Sequence, residues 1–102
     1  MINYSFGKYC IVRGNEFGVF AGILVAVDNY GKTVQLVDAR RIWYWDGAAS
    51  VSELALMGTS KPENCKFPAP VQDIVLNGVI EIIPCTLEAE ASIRGVAVWT
   101  AR

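Results

Sequence analysis

The sequence predicts an α+β domain built mostly of strands: a small, partly open barrel of SH3-like or similar type, with two short helices, over residues 1–102 as one domain. Three observations carry this expectation. The segments "KYCIVRG" (8 to 14) and "FGVFAGILVAV" (17 to 27) are dense in β-branched and aromatic residues and are separated by a glycine-containing turn. Two short segments, 50 to 58 and 86 to 95, have a capping residue at the start and glycine at the end. Between and after them, glycine, proline and asparagine break the chain into pieces too short for a long helix or an extended linker.

Taken in order, residues 8 to 14 and 17 to 27 form a hairpin through Gly14 and Asn15. In the second strand both rows of alternating side chains are apolar, so it is expected at the centre of the sheet, with Gly18 and Gly22 where the sheet bends or another backbone comes close. "DNYGK" turns the chain, and "TVQLV" resumes alternation with Val34 and Leu36 inward, giving a three-stranded meander. Asp38 and Arg40 then fall in the inward row, a conflict that a bulge or strand end near 38 to 40 resolves. Ser50 followed by Glu53 has capping-box spacing, and Gly58 stops the helix. "TSKPENCKFPAP" (59 to 70) holds three of the four prolines and reads as a crossing loop. In "VQDIVLNGVIEIIPC", Asn77-Gly78 signals a hairpin, although one long strand with a glycine bulge fits as well. Thr86 caps the second helix, Glu88 and Glu90 suit its first turn, Arg94 suits its last, and "GVAVWT" is expected as a closing strand.

Composition narrows the function classes. The chain is 53% hydrophobic and 19% charged, against roughly 25% charged in average soluble domains, so burial between subunits of a homo-oligomer is expected. A net charge of −1 lacks the positive field that drives general nucleic-acid binding. Cys10, Cys65 and Cys85 are odd in number, far apart and unaccompanied by histidine, which matches neither metal spacing nor a disulfide framework. They read as reduced, mostly buried thiols: Cys85, although at a helix start that could lower its pKa, has no histidine to pair with and reads as a buried structural cysteine, and Cys65 in the loop is the better candidate for reactivity. No apolar run suits export or a membrane span, and no cofactor motif is present, which points to a cytosolic protein.

The span from "ARRIWYWDGAAS" through "KPENCKF" to "VIEIIPCT" and "GVAVWTA" resembles a family of small proteins found largely in tailed-bacteriophage genomes and prophages and catalogued as a domain of unknown function. The resemblance runs from about residue 9 to the end. It implies a viral origin and a life in the cytoplasm of an infected bacterium, with the virion as the other location, and it brings no catalytic residues.

Candidate chemistry concentrates in residues 39 to 50. Arg40, Arg41, Trp43, Tyr44 and Trp45, followed by the capping Ser50, combine planar cations, ring faces and a helix start, the parts of a stacking platform for a nucleotide-like anion. The same residue types equally furnish a core or a subunit contact. On a regular strand, Arg41 shares a face with Trp43 and Trp45, whereas Arg40 is expected to be held by Asp38. No nucleophile with a base, phosphate loop or carboxylate pair is evident, so an enzyme ranks below two non-enzymatic readings. These are capture of a nucleotide-derived bacterial immune signal as counter-defence, and a virion-associated or protein-interaction module without a small-molecule ligand.

Overall fold

A single glycine touches both ends of the central strand. In the computed structural model, which describes residues 2–101, the elements are β1 (Tyr9–Gly14), β2 (Val19–Asp28), β3 (Thr33–Arg41), α1 (Val51–Met57), β4 (Val71–Asn77), β5 (Val79–Pro84) and α2 (Leu87–Gly95). The strands form one antiparallel sheet in the order β4-β3-β2-β1-β5. The Gly78 amide donates to the Lys32 carbonyl beyond one end of β2, and the Gly78 carbonyl accepts from the Asn15 amide beyond the other, each at 2.9 Å. A straight strand of ten residues holds its ends roughly 30 Å apart. One residue reaches both turns because β2 is strongly coiled.

Two bulges produce the coil. Ala21 pairs with Arg40 and Ile23 with Val37, which leaves one extra residue in β3; Leu24 pairs with Leu36 and Ala26 with Gln35, which leaves one extra in β2. Asp38 takes the left-handed φ of 51° at the first bulge. The bulge expected at residues 38 to 40 is therefore present. Gly22 is the residue opposite it, and a Cβ there would stand 3.0 Å from Ala39 Cα and 3.1 Å from the Val37 carbonyl oxygen.

Coiling divides the apolar side chains into two cores. Cys10, Val12, Phe20, Leu24, Val34, Leu36, Ala39, Leu76 and Val79 fill the concave side of the sheet. Tyr9, Ile11, Ala21 and Ile42 point to the other side, where Leu54 and Ala55 of α1 and Ile93 of α2 cover them, with Cys65, Phe67 and Val96. Strands β1 and β2 thus contribute to both cores, as their doubly apolar sequences require. Ser50 Oγ accepts from the Glu53 amide and Thr86 Oγ1 from the Ala89 amide, so both helices start at the expected caps.

Three expectations are corrected. The sheet is open: its order leaves two edges, and no ladder joins β4 to β5, so the barrel does not close. Asn77-Gly78 makes no hairpin; of the two readings, the long strand interrupted at glycine is the nearer, because Gly78 at φ +85° carries β4 directly into β5 and from the β3 edge to the β1 edge. "GVAVWT" makes only an isolated parallel bridge between Val98 and Phe67 and joins neither edge of the sheet. Among the described residues, no helix is long and apolar enough to cross a membrane.

Gly22→Ala should destabilise the protein by about 1–3 kcal/mol, the range for overpacking a close contact. Gly95→Ala, where nothing lies within 4 Å of the added Cβ, should change stability little. Urea midpoints of the two variants check the contrast.

Candidate functional site

Arg40 stands on the helix side of β3 because the Asp38 bulge resets the alternation, and it is 4% exposed. Its Nε donates to the Pro68 carbonyl at 3.1 Å, Nη2 to Phe67 at 3.1 Å, and Nη1 to Ile93 at 3.0 Å and Arg94 at 3.5 Å. The guanidinium therefore joins β3 to the crossing loop and to the last turn of α2, whose carbonyls favour a cation. Burial lowers its pKa from the ordinary arginine value. The expected partner, Asp38, pairs instead with Arg94, which also reaches Glu90 at 2.9 Å. Arg40 is thus held by backbone carbonyls, and its expected pairing with Asp38 is corrected.

The other expected site residues separate. Arg41, on the opposite face, lies 4.3 Å from the Phe20 ring and donates through Nη1 to the Phe17 carbonyl at 2.8 Å. Phe17, Gly18, Val19, Arg41, Ile42 and Trp43 line a shallow groove, so Arg41 and Trp43 do come together. Trp45 does not join them: its ring packs on the helix-side core and its Nε1 donates to the Ala48 carbonyl at 3.2 Å. Ser50 is engaged as the cap of a seven-residue helix.

The exposed rings form a different cluster. Trp43 is 58% exposed and meets Trp99 edge-on, with ring centroids 6.3 Å apart and planes at 74°. Tyr44, half-exposed, and Trp99 each lie under the Lys66 ammonium, 5.9 and 5.6 Å from its Nζ. Backbone bonds set this arrangement: Lys66 N donates to Tyr44 O at 2.8 Å, and Trp99 N to Phe67 O at 3.0 Å. Phe67 O also accepts from Arg40, so the buried cation supports the surface from beneath. Lys66 and Trp99 were not singled out from sequence. They lie more than 20 residues from the "WYW" run, and only the crossing loop and the terminal segment bring them beside it.

The loop that carries Lys66 is knotted around Asp46. Its carboxylate accepts from the Gly47 amide at 2.8 Å and from Asn64 Nδ2 at 3.0 Å, and these bonds, Asn64 first, hold it below the usual aspartate range. Cys65 is buried within this knot, its Sγ 3.6 Å from the Asp46 and Lys61 carbonyls, as expected of a mostly buried thiol and against its choice as the better candidate for reactivity. Cys85 is not activated by α2: burial pushes it up to about 12, and burial alone pushes Cys10 to about 11. Among the described residues, no group of three or more metal-ligating side chains is gathered.

Residues 7–93 match the family described as "Domain of unknown function (DUF6948)". The chain belongs to this family. No curated protein and no solved structure matches it. Trp43, Tyr44 and Lys66 fall inside the matched span, and Trp99 falls beyond it.

Arg40→Met should cost about 3 kcal/mol or more, because it removes the donors from buried carbonyls on two other segments. Arg41→Ala, at an exposed site, should cost at most about 1 kcal/mol. Chemical denaturation of both variants measures the difference.

Burial also raises Tyr9 to about 12, so three groups have native values above their ordinary 9 to 10. The native state holds these protons more tightly than the unfolded chain. Their contribution is therefore complete below about pH 9 and is lost as pH rises toward 12. Stability measured against pH should fall along this alkaline limb, and Cys10→Ala should make the fall shallower.

Proposed function

We propose that the protein is a non-enzymatic, phage-encoded binding module acting in the host cytoplasm, and that the surface formed by Trp43, Tyr44, Trp99 and Lys66 docks another protein. The observation that carries this reading is the exposed Trp43 in edge contact with Trp99, with half-exposed Tyr44 alongside. Tryptophan and tyrosine supply much of the binding energy at protein interfaces, and a cluster of exposed rings is otherwise a solubility liability. The viral origin rests on the resemblance of the tryptophan-rich and Lys-Pro-Glu-Asn-Cys segments. Homo-oligomerisation belongs to the same reading, with a second copy as one case of the docked protein.

Capture of a nucleotide-derived immune signal is the second reading. It is favoured by Lys66, whose ammonium over two ring faces sets a phosphate partner beside a base-stacking surface. Against it stand the internal engagement of Arg40 and Ser50, which leaves the platform without two of its expected anion contacts.

Affinity capture from infected bacteria, using the parent and a Trp43→Ser/Trp99→Ser variant, distinguishes these readings. A specific protein retained by the parent and lost by an equally stable variant supports docking. An intact nucleotide released from the parent on heating, with no protein retained, supports signal capture instead. Sedimentation at high micromolar concentration adds the self-association case: a species above 11.2 kDa that reverts in the variant places the second copy on this surface.

A further inference from the structure

Where β1, β3, the crossing loop and α2 meet, four segments line a small notch. Tyr9 of β1, Asp38 and Arg40 of β3, Pro70 of the crossing loop and Arg94 of α2 line it, around a volume of about 70 Å³. Tyr9 is 4% exposed, and its ring is covered by the Arg94 guanidinium at 4.6 Å. Yet the Tyr9 hydroxyl has no hydrogen-bond partner among the described residues, and no fully enclosed side-chain N or O atom is left unpaired. Its hydroxyl therefore opens onto the notch.

The charges around it are unevenly paired. The lining carries two guanidiniums and one carboxylate. Arg94 is matched by Asp38 and, outside the lining, by Glu90. Arg40 is the buried charged residue, and every group that it touches is a neutral carbonyl or a ring. A guanidinium has five N–H donors. The bonds of Arg40 leave one Nη2 hydrogen unused, and those of Arg94 leave both Nη2 hydrogens unused. Buried cations are normally paired, and guanidinium favours a carboxylate as its partner.

We propose that this notch is a binding site for one carboxylate group, with the Tyr9 hydroxyl and the free guanidinium N–H groups of Arg40 and Arg94 as donors. Its volume is far below the roughly 300 Å³ at which pockets for drug-sized ligands begin, so a nucleotide or sugar is excluded. The carboxylate comes either as a small free anion or as an acidic side chain of a docked partner. Pro70 closes one wall without offering an N–H, which leaves the tyrosine and the arginines to supply the specificity. The proposal does not depend on what the aromatic surface binds, and its test is separate.

The test is a nuclear magnetic resonance titration of protein labelled with ¹³C-tyrosine. Sodium formate is added at constant ionic strength against sodium chloride, and in a second arm a capped peptide with a single central glutamate is added. The Tyr9 resonance, assigned by its absence in Tyr9→Phe, should move saturably with formate and not with chloride. Saturation by the peptide as well identifies a partner's side chain as a source, whereas saturation by formate alone identifies the free anion. Tyr9→Phe removes a hydroxyl without a partner, so it should melt with the parent. Followed through the ¹⁵Nε resonance of Arg94, it should bind formate roughly tenfold or more weakly, the loss of one hydrogen bond to a charged group. A parent Tyr9 resonance that responds only linearly, or alike to formate, peptide and chloride, would overturn the proposal whether or not Tyr9→Phe folds. So would undiminished formate affinity in a folded Tyr9→Phe.

Discussion

The buried Arg40 guanidinium is the interaction on which the rest of the functional architecture depends. Its donors hold the carbonyls of Phe67 and Pro68 on one side and of Ile93 on the other, so that one side chain fixes the crossing loop and α2 against β3. Phe67 in turn receives the Trp99 amide, and Lys66 beside it is bridged to Tyr44. The exposed aromatic cluster and the Tyr9 notch therefore share a support. Disturbing that support should be felt at both surfaces, which makes stability measurements a necessary companion to any binding assay.

Coiling of the sheet supplies the second constraint. The bulge at Asp38 does two things at once: it bends β3 and turns Arg40 to the helix side, where a regular strand would have sent it to the concave core. Gly22 makes room for it, and Gly78 binds both turns of the coiled strand. Backbone conformation thus decides which of two adjacent arginines becomes structural. Arg41, on the other face, is left at the surface with Phe20 and Trp43.

Burial accounts for the behaviour of the polar and titratable groups. Cys10, Cys85 and Tyr9 all keep their protons to high pH because apolar surroundings disfavour the charged forms. A helix start activates a thiol only where the thiol meets the exposed amides; here Thr86 takes that place and Cys85 turns into the core. The chain has few charges; among the described residues Arg40 is the buried one, and beside it Arg94 bridges Asp38 and Glu90 over the Tyr9 ring.

Local signals in the sequence were sufficient for the meander of β1 to β3, the two apolar faces of β2, the bulge at residues 38 to 40 and the caps Ser50 and Thr86. Alternation, β-branching and capping act over a few residues, so they can be read without knowing the fold. The run "ARRIWYW" also drew attention to a segment in which Trp43 and Tyr44 prove to be exposed. Tertiary structure alone decided that Arg40 is buried, that Trp45 turns to the core, and that Lys66 and Trp99 complete the ring cluster. It alone decided too that Asn77-Gly78 connects opposite edges of an open sheet. Each of these rests on contacts between segments distant in sequence, where a bulge of one residue or a glycine at positive φ changes which face a side chain takes, and no local pattern encodes the partner waiting there.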